Sequence, residues 1–438
     1  MPFVVTGGGR TGQGGTVGRN GTRGSERGAA ARERSARAQV AAHGGTVPRP
    51  LDGGRTLPLA WVRGRGGDRT PIVVLPGGPG LASVLPYHAF RQLGAARGLD
   101  VIMVEHRGVG LSRTDTTGAD LDVADVTATA AADDVAAVLD ANGVERAVVL
   151  GTSYGSHLAR VFGARHPHRV AAMVLDSPTG GPDGVPAIRA HLRRLYRDGV
   201  DVRTARSAAL VGALAARGAD PRDLTSVVRT VHEFAGPERL ERLLAARWRG
   251  GARRSWRWIA GLGAGEVAGT RVPMVFDGDL VRPIALGDLG FAVPPDGEVL
   301  DLQRVYDVRA DEPVPAPTHD PVAELPRFTW PVAVISGERD LRTPRPLAEQ
   351  LVDRLPDAVL VPLAGQGRSA ADTHQLAALN VAHVVEAGGH RALPRLANRI
   401  AALPRRGMQA TLGPLLASAI GADTRIDPGR RQVARSDA

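Results

Sequence analysis

The sequence predicts an α/β fold: a mostly parallel sheet covered by helices on both faces, with a helical domain inserted partway along. Three observations predict it. From Ile72 to Leu175 short, nearly continuous apolar runs alternate with amphipathic stretches, the pattern of strands buried on both faces. From about Thr179 to Thr329 this alternation gives way to helical periodicity. At Pro331-Val332-Ala333-Val334-Ile335 the apolar runs resume.

Taken in order, Thr6 to about Gly45 is Gly, Arg, Ser and Ala with almost no large apolar residue to offset the entropy of ordering, so the first 50 residues are expected to form a disordered Gly/Arg-rich tail. Residues 51–178 form the first part of the core. Thr56 to Val62 alternates as a strand, Pro71 to Leu75 and Asp100 to Val104 are short buried strands, and Val126 to Ala141 is an amphipathic helix. Ala147 to Leu150 is the next strand, Ser156 to His166 a helix, and Val170 to Leu175 a strand. Residues 179–329 read as a helical cap, with segments near Pro186 to Tyr196, Val202 to Ala216, Pro221 to Phe234 and Pro237 to Trp248, closing on the proline-rich linker Pro313 to Pro321. Residues 330–404 complete the core: the strand after Pro331, a helix from Arg345 to Leu355, a strand from Ala358 to Val361 and a long helix from Ala370 to Ala387. Residues 405–438 are expected to be loosely ordered.

Composition narrows the function. Of 438 residues, 55 are basic, giving a net charge of +10, yet all 55 are arginine and none is lysine. They are spread along the chain, densest in the two tails, and aromatic residues are not interleaved with them there, which argues against nucleic acid. Cysteine is absent, excluding disulfides and thiol nucleophiles. No apolar run reaches the ~18 residues of a membrane helix, and the first residues lack the apolar stretch of a signal peptide. The expectation is a cytoplasmic protein that takes a small substrate, with no cofactor or metal; nothing in the sequence sets its oligomeric state.

The chemistry concentrates at Gly151-Thr152-Ser153-Tyr154-Gly155, which follows an apolar strand and precedes a helix. This is the G-x-S-x-G turn that presents a nucleophilic serine, and its glycines keep side chains out of a crowded, strained backbone. Pro76-Gly77-Gly78-Pro79-Gly80 is a loop poor in side chains, so its N–H groups are open to an oxyanion.

Together with His106-Arg107-Gly108-Val109-Gly110-Leu111-Ser112 and Gly337-Glu338-Arg339-Asp340 followed by Thr343-Pro344, these stretches resemble the proline-iminopeptidase-like branch of the α/β-hydrolase fold. The resemblance covers roughly Leu51 to Pro404. It implies acyl transfer through Ser153, with Asp340 as the acid of a Ser-Asp-His triad and Asp176 as a rival for that place. The N–H groups of Gly78 and Tyr154 would form the oxyanion site, and the Tyr154 side chain would shape the acyl pocket. The substrate would be a short peptide losing its N-terminal residue, or another small acyl compound. By the same resemblance, cap carboxylates would hold a free α-amino group. Asp277 and Asp279, in Val275-Phe276-Asp277-Gly278-Asp279-Leu280, are the candidates.

The sequence departs from this pattern in two places. Pro76 stands where relatives usually carry histidine before Gly-Gly-Pro-Gly. More consequentially, Gly365-Gln366-Gly367-Arg368-Ser369 stands where they carry the catalytic histidine, and a guanidinium cannot serve as a general base. Among the other histidines His374 leads as a substitute base, ahead of His106, His157, His383 and His390. The alternative is a pseudohydrolase that binds without turnover.

Overall fold

The computed structural model describes residues 19–262, 270–306, 308–309, 312–316, 322–407 and 409–424, with side chains from Glu26 on. The expectations for residues 1–18, for the end of the proline-rich linker (317–321) and for residues 425–438 fall outside the described residues.

The described residues form ten strands: β1 (Gly44–Pro50), β2 (Thr56–Gly64), β3 (Ile72–Leu75), β4 (Val101–Val104), β5 (Ala147–Thr152), β6 (Val170–Asp176), β7 (Arg271–Val272), β8 (Phe276–Asp277), β9 (Val332–Gly337) and β10 (Ala358–Leu363). Eight form one sheet in the order β1-β2-β4-β3-β5-β6-β9-β10; β7 and β8 make a separate two-stranded ribbon. From β4 to β10 the pairings are all parallel, while β2 runs antiparallel to β4 and β1 to β2. The apolar runs predict this arrangement because β3, β4, β5 and β9 are buried at every position, as strands covered on both faces must be.

The described helices are α1 (Arg19–His43), α2 (His88–Ala95), α3 (Ala128–Ala141), α4 (Tyr154–Arg165), α5 (Val185–Tyr196), α6 (Ala205–Ala216), α7 (Pro221–Ala235), α8 (Pro237–Trp248), α9 (Arg253–Ala260), α10 (Arg282–Leu286), α11 (Arg345–Val352), α12 (Ala370–Thr373), α13 (Gln375–Glu386), α14 (Leu393–Ala401) and α15 (Leu412–Thr424). One face of the sheet shares a core with α3 and α4, through residues such as Val135, Leu139, Leu158 and Phe162. The other face shares a core with α2, α13 and α14, through Phe90, Leu379, Val381 and Ile400. Helices α5 to α9 close a third core of their own around Leu192, Val227, Leu240, Leu243 and Trp256.

The expected long helix from Ala370 to Ala387 is interrupted at His374, whose backbone (φ −148°, ψ 57°) leaves the helical region between α12 and α13. The described parts of both tails, residues 19–50 and 409–424, depart from expectation. Residues 19–43 form helix α1 and residues 44–50 strand β1, an edge strand bonded along β2. The helix needs little apolar surface because Ala36 and Val40 pack into the sheet core, Arg32 Nε donates to the Pro273 carbonyl at 3.0 Å, and Arg37 pairs with Glu33 one turn away at 2.7 Å. At the other end α15 inserts Leu416 and Ile420 into the helical core, and Asp423 accepts from the N–H groups of Arg254 and Ser255 at 3.0 and 2.9 Å, capping α9.

Candidate active site

Ser153 stands at the end of β5, on the turn into α4, with φ 54° and ψ −117°. A side chain is costly in that left-handed region, and the neighbours leave no alternative path. A Cβ on Gly151 would lie 2.1 Å from the Gly155 carbonyl oxygen, and one on Gly155 would lie 1.9 Å from that of Leu75. The two glycines are therefore steric requirements of the elbow. Ser153 N–H donates to the Asp176 carbonyl at 2.9 Å, continuing the β5–β6 ladder into the turn.

Gly77 and Gly78 lie across from the serine. A Cβ on Gly77 would approach Ser153 Cβ at 3.2 Å, and Gly78, at φ 119°, lines the same cavity. The Tyr154 N–H is the first of α4 and has no partner carbonyl within the helix. The two backbone donors expected to form the oxyanion site thus flank Ser153. The Tyr154 ring is not in the cavity wall: it is buried edge-on to His106 and stacked with His157, and burial raises its phenol pKa.

Arg368, in the loop where the resemblance places a histidine, reaches Ser153. Its Nη2 donates to Ser153 Oγ in a very short contact, and its Nε is buried with no acceptor among the described residues. The loop carrying it is held as tightly as the elbow. A Cβ on Gly337 would meet the Gly367 carbonyl oxygen at 2.1 Å, and a Cβ on Gly367 would meet that of Glu233 at 2.5 Å. Ser369, at φ 57°, gives its N–H to Ser177 Oγ at 2.9 Å. The next two N–H groups, of Ala370 and Ala371, donate to the Asp176 carboxylate at 3.0 and 2.9 Å, and Thr152 Oγ1 donates to it at 2.8 Å. Asp176 is therefore an anchor for the first turn of α12, with burial raising its pKa and the two N–H groups opposing that rise.

Asp340 is buried at the end of β9, and its carboxylate is used by its own turn. It accepts from the N–H groups of Arg342 and Thr343 at 3.0 and 2.8 Å and from the Thr343 hydroxyl at 2.6 Å. No hydrogen bond or ion pair joins it to Arg368 among the described residues.

His374 does not reach Ser153. Its ring is fully buried, its Nε2 lies 3.3 Å from the Ala401 carbonyl, and burial lowers its pKa. His374 stands at the break between α12 and α13, where the backbone leaves the helical region. His106 is enclosed with both ring nitrogens unbonded, and burial pushes its pKa down to about 4. His157 faces Asp288 at 3.8 Å, His383 lies beside Arg69, and His390 pairs with Asp357 at 3.0 Å. Among the described residues no histidine lines the cavity over Ser153.

Asp277 and Asp279 serve neighbouring arginines. Asp277 accepts from Arg271 Nε at 2.9 Å, Arg113 Nη1 at 3.2 Å and the Gly110 N–H at 2.8 Å. Asp279 binds Arg113 through two bonds of 2.8 Å, which lower its pKa. Carboxylates so engaged are not available to an ammonium group, and neither is in the cavity wall. The pair instead ties the β7–β8 ribbon to the Gly110–Arg113 turn of the core.

The cavity has a volume of about 120 Å³ and is bounded by both parts of the molecule. Its charged wall includes Arg229 and Glu233 from α7, Arg282 from α10, Arg342, Arg368 and Asp372. These residues, Arg368 apart, carry no motif, and the signal that could have found them is slight: Arg229 and Glu233 sit one turn apart on α7. Glu233 accepts the Leu341 N–H at 3.2 Å, and burial raises its pKa against the pull of Arg342, Arg229 and Arg368. Asp372 accepts the Tyr87 hydroxyl, and burial pushes its pKa up to about 6.

Comparison with known proteins agrees with this architecture. The alpha/beta hydrolase fold family matches residues 70–257. The chain is 30% identical over 158 residues to a 2-hydroxy-6-oxononadienedioate/2-hydroxy-6-oxononatrienedioate hydrolase of Paraburkholderia phymatum, covering 34% of this chain and 51% of that protein. It is 29% identical over 117 residues to a proline iminopeptidase of Neisseria meningitidis, covering 27% and 35%. The chain thus spans about half the length of the first relative and about a third of the second. Among solved structures, proline iminopeptidase from Mycobacterium smegmatis aligns over 78% of this chain and 99% of its own, at 19% identity and a TM-score of 0.44. The mostly parallel eight-stranded sheet and the strand-elbow-helix unit at Ser153, together with the family model over residues 70–257, show an α/β-hydrolase fold, and part of the chain is similar to proline iminopeptidase.

Proposed function

We propose that the protein is a pseudohydrolase of this fold, binding a small acyl compound over Ser153 with little or no turnover. The observation that carries the reading is the bond from Arg368 Nη2 to Ser153 Oγ. A serine hydroxyl attacks an acyl carbon only as its proton leaves for an acceptor, and a guanidinium has donors alone. With Gly78 in the cavity wall and the Tyr154 N–H free at the start of α4, the reading keeps two backbone donors for an acyl group. In well-studied triads, removing the base lowers kcat on the order of 10⁶-fold and leaves a remnant from the oxyanion site.

A second reading is favoured by the likeness to proline iminopeptidase: an aminopeptidase acting through acyl-Ser153, with Asp340 as its acid. It needs a base, and its amine-binding carboxylates cannot be Asp277 and Asp279. An esterase on the same scaffold meets the same requirement for a base.

Measuring kcat/KM of wild type, Ser153→Ala and Arg368→His on an aryl acetate and a prolyl anilide separates these readings. We expect wild type to match Ser153→Ala within about tenfold, and Arg368→His to raise serine-dependent turnover by about 10²-fold or more, the range of one general base. Robust wild-type turnover lost in Ser153→Ala would overturn the pseudohydrolase; loss of amide but not ester hydrolysis on N-acetylation would then identify the aminopeptidase.

A further inference from the structure

A hydrolase of this kind must release its acid product; the wall of this cavity has the composition of a site that retains one. Four arginines, Arg229, Arg282, Arg342 and Arg368, face two acids, Glu233 and Asp372. Both acids have protein partners: Glu233 takes the Leu341 N–H and lies 3.8 Å from Arg342, and Asp372 takes the Tyr87 hydroxyl. Arg282 is matched by Glu312. Among the described residues Arg368 has no carboxylate partner, and its buried Nε has no acceptor. A buried donor left unsatisfied is costly, and it is the kind of group a ligand oxygen relieves.

The rest of the wall sets the ligand's body. Phe234, Phe276, Phe291 and Tyr306 surround the charged end, with Phe291 and Tyr306 stacked at 3.9 Å. At about 120 Å³ the cavity is well below the ~300–1,000 Å³ of drug-sized pockets, enough for one ring or a short chain. Of the two carboxylates in the wall, Asp372 takes the Tyr87 hydroxyl, and Glu233 Oε2, without a hydrogen bond among the described residues, lies 3.8 Å from Arg342 Nε, so arginine charge outweighs acid in the cavity.

We propose that the cavity over Ser153 is a receptor site for a small apolar monocarboxylate, whose carboxylate is shared between the Arg368 guanidinium and the N–H groups of Gly78 and Tyr154. The fork of an arginine matches a carboxylate in two parallel bonds, and the oxyanion donors complete the second oxygen's shell. The site therefore selects the acid over its neutral amide and over the corresponding amine, the opposite preference from that of an aminopeptidase. This deepens the pseudohydrolase reading and rests on it for its biological sense, although selectivity of binding is measured independently of turnover.

Calorimetric titration of the full chain with phenylacetate, phenylacetamide and phenethylamine tests the proposal. Phenylacetate should bind at least about tenfold more tightly than phenylacetamide, with affinity falling at high salt, and phenethylamine should give no measurable heat. Arg368→Met, which keeps the stem and removes the fork, should abolish the preference of acid over amide; Arg368→Lys should keep part of it. If Arg368→Met fails to fold, the three-ligand series on wild type decides alone. Equal binding of acid and amide, tighter binding of the amine, or no acid binding up to about 10 mM would overturn the proposal, since affinity weaker than that is not recognition. If wild type instead proves an active hydrolase, the pseudohydrolase reading fails while phenylacetate can still be its competitive inhibitor, so the two failures are distinguishable.

Discussion

The two walls of the cavity, the Gly151–Gly155 elbow and the Gly365–Ser369 loop, are built to the same tightness and carry opposite chemistry. Each fixes one polar side chain by glycines that have no room for a Cβ and by a serine at positive φ. Both lean on Asp176, the elbow through Thr152 Oγ1 and the loop through the N–H groups of Ala370 and Ala371. Yet one wall presents a hydroxyl and the other a guanidinium, which can donate to that hydroxyl but cannot take its proton. Function on this scaffold is thus separable from architecture at the level of a single side chain.

The comparison can be broken most severely at the elbow. Gly155→Ala places a methyl group 1.9 Å from the Leu75 carbonyl oxygen, in backbone that cannot retreat from the sheet. We expect loss of folded protein or destabilisation of about 4 kcal/mol or more, read as urea unfolding midpoint. Gly367→Ala tests the other wall: its Cβ would lie 2.5 Å from the Glu233 carbonyl oxygen on α7, a longer approach than that at Gly155. Here about 1–3 kcal/mol is expected, as for an overpacked core, with the fold retained. Equal tolerance of alanine at both positions would mean that the walls are less rigid than their contacts imply.

The smallest effect sharpens the electrostatic half of the comparison. Burial pushes the Asp372 pKa up to about 6, so its charged form is disfavoured in the folded state. For a folded pKa above the unfolded value, the contribution to stability is full below the unfolded value of about 3.8 and is lost as pH rises through about 6. Arg368 opposes the shift, while Asp176 adds to it. Asp372→Asn should therefore gain on wild type by about 1 kcal/mol between pH 5 and pH 7.5 in chemical denaturation. A difference that does not change with pH would remove Asp372 from the titration.

What the sequence discloses of the fold follows from period. Strands buried on both faces read as unbroken apolar runs, and Ile72 to Leu75, Val101 to Val104 and Val332 to Ile335 are such runs. The N-terminal helix escapes that logic because Ala36 and Val40 are all the apolar contact it needs, in a stretch otherwise of Arg, Gly and Ala. Of the site, the segments with backbone constraints are legible, since glycine marks them: the elbow, the Gly77–Gly78 loop and the Arg368 loop. Residues that reach the cavity by tertiary placement are not. Arg229 and Glu233 arrive on α7 from the helical part of the chain, and no local pattern states which way that helix faces. The same gap misplaces Asp277 and Asp279, whose partner Arg113 is more than 160 residues earlier in the chain.

The docking of α15 also bears on how a ligand enters. A helical layer joined to a sheet only where the chain leaves and returns can swing as a hinged lid. This one is fastened again from the far end of the chain: Leu416 and Ile420 sit inside its core, and Asp423 grips α9. Just before α15, the Gln409 N–H holds the Asp372 carbonyl at 3.2 Å beside the cavity. A plate bolted at an extra point has less swing than one joined only where the chain leaves and returns.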